Sequence, residues 1–189
     1  MIYLEGGCSM TAIIIIVVAI VLICLIAFIS ISNNLNRYQV KIDEANSGID
    51  VALTKRYDVL TKMIEVVKGY AKHEKETLFE VINLRKEMSL GEKAAENAKM
   101  DKNMEKINVL AESYPELKSS ENYNTLQKTI VDVEEHLQAS RRMYNANVSK
   151  FNQALVTFPS SMIASMKGLT KKDFFEAEET KREDVKIEL

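Results

Sequence analysis

The apolar and polar positions of this chain fall into three regimes. From Ala12 to Ile29 the sequence reads AIIIIVVAIVLICLIAFI, without one polar side chain, and Ser30, Ile31 and Ser32 extend the run. About 20 apolar residues in a helix cross the roughly 30 Å hydrocarbon core of a bilayer, and a helix satisfies its own backbone groups there. The run therefore predicts a membrane-spanning helix over residues 11–32, with Ala12, Ile16, Ile20, Ile23, Ile26 and Ile29 among its lipid-facing positions. A cleavable signal peptide would need a basic leader and a shorter apolar stretch. Here no Lys or Arg precedes the run. Cys8 lies before the run and Glu5 stands where a lipoprotein signal wants an aliphatic residue, so a lipid-modified cysteine does not fit. Arg37 and Lys41 follow the span, and the positive-inside bias places the C-terminal part in the cytoplasm.

After the span the period changes to helical. Tyr38, Ile42, Ala45, Ile49, Ala52, Arg56, Val59, Met63, Val66, Tyr70, His73 and Thr77 recur at alternating steps of four and three, a heptad seam. Leu53, Leu60, Val67, Val81 and Met88 lie on a second row at multiples of seven. With no proline before residue 88, this predicts one helix over 33–88, about 84 Å long at 1.5 Å per residue. Ser89 followed by Glu92 has the form of a capping box and starts a second helix running to Ser113. Its apolar positions are Ala94, Ala95 and Ala98, then Met104, Ile107, Leu110 and Tyr114, with Pro115 ending it. Ser119, Ser120 and Asn122 offer caps for a third helix over 121–157. Its seam runs from Leu126 and Ile130 through Leu137, Tyr144 and Phe151 to Phe158, and Pro159 stops it. A short amphipathic piece follows with Met162, Ile163, Met166 and Leu169 on one face and Gly168 as its stop. The tail is acidic and extended, and its end, VKIEL, alternates like a short strand.

The expected architecture is all-α: an N-terminal transmembrane helix, an elongated antiparallel bundle of three long helices, a short C-terminal helix and an extended tail. A break near Gly69 would make four helices. The corresponding segments are a short N-terminal tail (1–10), the span (11–32), the bundle (33–169) and the acidic tail (170–189). The helix lengths do not match. A straight first helix would leave the strip Tyr38, Ile42, Ala45, Ile49, Ala52 and Arg56 without an intrachain partner, and exposed apolar strips mark interaction surfaces. These six residues are therefore expected to mediate self-association into a homo-oligomer. Arg56, polar on an apolar seam, is read either as a snorkelling side chain or as a device that selects register.

Composition narrows the chemistry. The net charge of −2 argues against a nucleic-acid partner. Cys8 and Cys24 before and inside the apolar run support neither a disulfide framework nor a cysteine metal site. In VVKGYAKHEKETL, residues 66–78, His73-Glu74 opens like a zinc-protease motif, but the second histidine would fall on Thr77. A di-iron site wants glutamate three residues before a bundle histidine, and Tyr70 and Val133 stand before His73 and His136 instead. No metal and no cofactor is expected. Arg141, Arg142, Tyr144, Asn145, Asn147, Phe151 and Asn152 interleave basic, aromatic and amide side chains. In a slightly acidic chain they read as core packing with polar cross-links. Tyr70, His73 and Glu74, with Phe174 and Phe175 in the tail, are the candidate contacts to a partner protein.

A resemblance covers most of the chain. The phrases YDVLTKMIEVVKGYAKHEKETL, LAESYPELKSSENYNTLQ, RRMYNANVSKFNQALVTFPSSMIA and FFEAEE, in this order behind an N-terminal span, resemble the LemA family of bacterial membrane proteins from about residue 30 to 179. Family members often carry proline in the segment matching Val59 to Met63, where this chain has Leu60-Thr61-Lys62, so its first helix is expected to run on. The resemblance implies a helical bundle behind one anchor in the bacterial inner membrane, and no catalytic residues to carry over. The function expected is a non-enzymatic scaffold or interaction protein that self-assembles at the membrane. The alternative is an accessory subunit of an envelope quality-control or membrane-peptidase complex.

Overall fold

The structure, a computed structural model, describes residues 5–70 and 79–175, with backbone alone for 5–9. Every regular element among them is helical: α1 (Glu5–Tyr70), α2 (Leu90–Ser113), α3 (Pro115–Lys118), α4 (Glu121–Val156) and α5 (Ser160–Met166). The membrane candidate and the first bundle helix are one element of 66 residues, α1, which passes Val59–Met63 and Gly69 without interruption.

Local sequence explains the ends. Ser89 caps α2 by accepting from the Glu92 amide at 3.2 Å, while the Glu92 carboxylate accepts from the Ser89 amide at 2.8 Å. The expected capping box is present. Ser120 Oγ accepts from the Tyr123 amide at the start of α4. After α5, Gly168 adopts φ +64, the left-handed conformation that glycine tolerates. There the amides of Gly168 and Leu169 return to Ser165 and Ala164, closing the last turn.

Two compact units emerge, formed by the described parts of Met1–Ile42 with Asn147–Lys172 and of Asp43–Ala146 with Asp173–Leu189. In the first, Leu35, Ile163 and Ala164 form a buried cluster against Ile31, Ala154, Leu155 and Leu169. Asn147 Nδ2 donates to the Lys41 carbonyl at 3.1 Å, fixing α4 beside α1. The sequence placed Met162, Ile163, Met166 and Leu169 on one face of a short amphipathic piece. Ile163 and Ala164 are the buried pair instead, and Met162 and Met166 are exposed.

In the second unit, Val59, Leu60, Met63 and Val67 of α1 pack with Met100, Ile107 and Leu110 of α2 and Tyr123, Ile130 and Val133 of α4. Gly48 of α1 lies against Ser140 of α4, where an added Cβ would meet the serine Oγ at 3.3 Å. Arg56 pairs with Glu134. Rising numbers on α1 meet falling numbers on α4, so the two are antiparallel. With α2 the order is the reverse: Asp50 meets Lys93 and Arg56 meets Asp101, so α1 and α2 run in the same direction. The expected antiparallel return of α2 is thus replaced by a non-helical return segment. Residues 79–89 are not helical, contrary to a first helix running to 88, and they lie along α2 with Glu80 at Asn103 and Asn83 at Glu96.

The bare-strip expectation is overturned. Ile42, Ala45, Ile49, Ala52 and Arg56 are all buried within the single chain, Ile49 completely, and Tyr38 is half-buried. The cause is helix length. Because α1 ends at Tyr70 among the described residues, its stretch after Ser32 (33 to 70) is about as long as the 36-residue α4 that packs antiparallel to it. The strip is therefore core, and the self-association assigned to these residues loses its surface.

Candidate functional site

The polar groups inside the second unit converge where α1, α2 and α4 meet. Lys93, Asn97 and Asp101 follow at steps of four, so one face of α2 presents all three to α1. The buried Arg56 guanidinium donates through Nη1 to Asn97 Oδ1 at 2.6 Å and the Asn97 carbonyl at 3.3 Å. Through Nη2 it pairs with Asp101 Oδ1 at 2.5 Å and with Glu134 on α4. The planar fork of arginine suits such a three-helix junction better than a lysine point charge. Arg56 is thus not a snorkelling side chain with its head in water: its guanidinium joins α1 to α2 and α4 inside the chain. One turn away, Lys93, also buried, pairs with Asp50 at 2.6 Å and donates to Asn46 Oδ1 at 2.8 Å.

A second set of side chains holds the return segment. Asn103, fully buried, accepts the Glu80 amide at 2.7 Å and donates to the Glu80 carbonyl at 2.9 Å, as a neighbouring strand would. Glu96 accepts the Asn83 amide at 2.8 Å and is paired with Lys99 at 2.7 Å. Burial pushes the Glu96 carboxyl upward, but its bonds to Lys99 and the Asn83 amide outweigh this and leave it below the usual carboxylate range. Glu92 is also held low, by the amide and hydroxyl of Ser89 and by Arg85. Beside the turn at 84–88, an open groove of about 560 Å³ runs along Asp50, Tyr57 and Asp58, with Arg85 and Lys93 among its polar lining.

The C-terminal segment is held in the same manner. Asn145 accepts the Phe175 amide at 2.8 Å and donates to the Phe175 carbonyl at 2.9 Å. Arg141 stacks over the Phe175 ring, 4.7 Å from its centroid. Tyr144 Oη donates to the Asp173 carbonyl, and burial, then the Asp173 and Asp43 charges, raise its pKa. In the first unit Asn152 makes the same reciprocal pair with Lys172, at 2.8 and 2.9 Å. The polar cross-links expected of Asn145, Asn147 and Asn152 are present.

The candidate partner contacts separate. Tyr70 is exposed at the end of α1, and Phe174 is 46% exposed. Phe175, expected as a docking residue, is buried at 6% and committed to its own chain, because Asn145 and Arg141 hold its backbone and ring. His73, Glu74 and the end of the acidic tail lie outside the described residues. Residues 10–29, including Ala12, Ile16, Ile20, Ile23, Ile26 and Ile29, are exposed throughout, as a helix facing lipid would be. Among the described residues no group of three or more His, Cys, Asp or Glu could hold a metal ion. The sequence reading missed Lys93, Glu96, Asn97 and Asn103; Lys93 and Asn97 share a face at a spacing of four and Glu96 and Asn103 another at seven, but only the partners reveal that these polar side chains are buried.

These arrangements are bonds between elements, and among the described residues they leave the buried polar side chains Arg56, Lys93, Glu96, Asn97 and Asn103 engaged in packing the fold. Comparison with known proteins supplies the family. The family model described as LemA family matches residues 45–189. The chain belongs to the LemA family. It is 30% identical over 163 residues to Protein LemA of Metamycoplasma hominis, covering 84% of this chain and 74% of that protein. It is also 24% identical over 70 residues to magnetosome protein MamQ of Magnetospirillum gryphiswaldense, covering 37% of this chain and 26% of MamQ. For a LemA-family chain the long apolar helix is consistent with a membrane-associated protein.

Proposed function

We propose that the protein is a non-enzymatic scaffold, held by α1 in the bacterial inner membrane, whose cytoplasmic helices serve interaction. The observation that carries this reading is the continuity of α1: the apolar stretch and the first bundle helix are one uninterrupted element. A span continuous with the first bundle helix supports a role close to the membrane surface. The internal polar side chains support the reading, because each is already bonded to another element. Confinement to a membrane raises the effective concentration of partners, so modest contacts suffice.

Self-assembly belongs to the proposal through surfaces other than the buried α1 strip. The test is extraction of the full-length chain in mild detergent and in lipid nanodiscs, followed by blue-native electrophoresis and cross-linking in intact membranes. A species of defined stoichiometry, homomeric or with a partner protein, is the expected result. A chain that is strictly monomeric and unpartnered in both settings overturns the scaffold reading.

A further inference from the structure

We propose that the turn after α4 and the helix α5 form a foot that rests on the bilayer and takes an anionic lipid surface. The inference rests on the reading of α1 as a membrane anchor and adds a second membrane contact to it.

The level of this foot along α1 follows from register within one unit. Asn147 of α4 is bonded to the carbonyl of Lys41, and the two helices run in opposite directions. Val156 lies nine residues beyond Asn147 (147 to 156), which sets it opposite Ser32, nine residues before Lys41 (41 to 32). The packing agrees: Ala154 and Leu155 lie against the cluster that contains Leu35 and Ile31. Lys167, just after α5, donates to Ser32 Oγ at 3.0 Å and Asn36 Oδ1 at 2.6 Å. Ile29 is the last residue of the stretch without a polar side chain, before Ser30, Ile31 and Ser32. Ser32 and Asn36 therefore lie about 5 and 10 Å beyond it at 1.5 Å per residue. The interfacial layer adds roughly 5–8 Å to each side of the hydrocarbon core, so Ser32 falls inside it and Asn36 just beyond.

At this level the chain exposes a group of large apolar side chains. Val156 is 63%, Phe158 76%, Met162 60% and Met166 76% exposed, while Ile163 and Ala164 of the same helix face inward. Met162 and Met166 are one helical turn apart and share a face of α5. In water a patch of this kind is a liability; at a bilayer interface an amphipathic segment buries such a face about 5–10 Å into the headgroup and acyl boundary.

Charge points to the same occupant. Over residues 10–42 and 147–172 there are six basic residues, Arg37, Lys41, Lys150, Lys167, Lys171 and Lys172, and no acid, although the whole chain carries a net charge of −2. A basic excess in this unit, with Lys167 beside Ser32 and Asn36, matches the anionic lipids of a cytoplasmic leaflet. A protein partner would have to fit between this surface and the lipid immediately above it.

The chain contains no tryptophan, so Phe158→Trp and Met162→Trp each introduce a single indole reporter. The full-length variants are reconstituted in phosphatidylcholine vesicles with and without phosphatidylglycerol, and flotation first establishes that the protein is in the membrane. Failure to float refutes the anchor, and the foot with it. In floated samples the foot is tested alone. Lipids brominated near the headgroup end of the chains are expected to quench the indole emission of both variants at least twofold. Quenching is stronger with phosphatidylglycerol present, and Lys167→Gln with Lys171→Gln removes that preference. Emission at the wavelength of water-exposed indole, unquenched by bromolipid but quenched by iodide, overturns the foot while leaving the anchor standing. Equal quenching in both lipid mixtures overturns the anionic preference.

Discussion

Asn145 and Phe175, 30 residues apart, are joined twice: the asparagine amide oxygen accepts the phenylalanine N–H and its NH₂ donates to the same residue's carbonyl. One side chain thereby substitutes for a whole neighbouring strand. Replacing it with alanine leaves both backbone groups without their partner and removes the bond that seats the Phe175 ring beneath Arg141. Asn145→Ala is expected to raise amide exchange at Phe175 at least tenfold and to make the segment after Lys172 an early site of proteolysis. Exchange unchanged at Phe175 would show that ring burial alone holds it.

Truncating Arg56 breaks bonds to two other helices at once. Arg56→Met leaves Asp101 and Glu134 facing each other without a cation and strands Asn97. Removing one member of a buried pair costs about 3–5 kcal/mol. Because Asp101 and Glu134 are partly solvated, at 23% and 36% exposure, about 2–3 kcal/mol is expected here. Thermal unfolding in mild detergent measures it. Arg56→Met combined with Asp101→Asn and Glu134→Gln recovers part of the loss, since no charge is then unpaired.

The α1 strip gives a direct test of burial. A cysteine at Ile49, which is fully buried, is expected to resist a membrane-impermeant maleimide, whereas one at Val51, 64% exposed, reacts rapidly. Ile49→Ala is expected to cost about 2–5 kcal/mol by cavity formation. Rapid labelling at 49 in the folded protein would restore the bare strip and the assembly built on it.

Acid sensitivity follows from Glu92 and Glu96, both held below the ordinary carboxylate value of 4.5. A carboxyl whose folded pKa is depressed stabilises the fold above its unfolded value and loses that contribution as pH falls through the folded one. Stability is therefore expected to be flat near neutrality and to decline below about pH 4.5. Glu96→Gln flattens that decline, and Ser89→Ala lowers stability by about 1 kcal/mol at neutral pH. Denaturant midpoints taken from acid to neutral pH measure both effects.

Much of this fold is legible in the sequence because its signals are local. The apolar run, the capping box at Ser89 and Glu92, the extent of α4 and the stop at Gly168 each depend on neighbours within a few residues. The return segment is not local. Val81 and Met88 match a heptad row by number, yet Phe79, Ile82 and Leu84 pack on the core from a non-helical chain whose amides are satisfied by Asn103 and Glu96. Asparagine and glutamate read as solvated surface unless their distant backbone partners are known. Missing that segment overstated the first helix and made its proximal half look bare. Phe175 was misassigned for a related reason: an aromatic in an acidic tail looks available until Asn145 and Arg141 are seen to hold it.

The unbroken passage of α1 from its apolar stretch into the bundle has a geometric consequence. Each residue between Ile29 and Leu35 sets both an elevation of about 1.5 Å and an angular step of about 100° for everything packed on the helix below. One inserted residue would turn the lower faces away from their former azimuth, while seven would restore it to within about 20°. With α1 as the anchor proposed above, the number of residues between the apolar stretch and Leu35 would work as a phase setting for the faces that the helix presents below it.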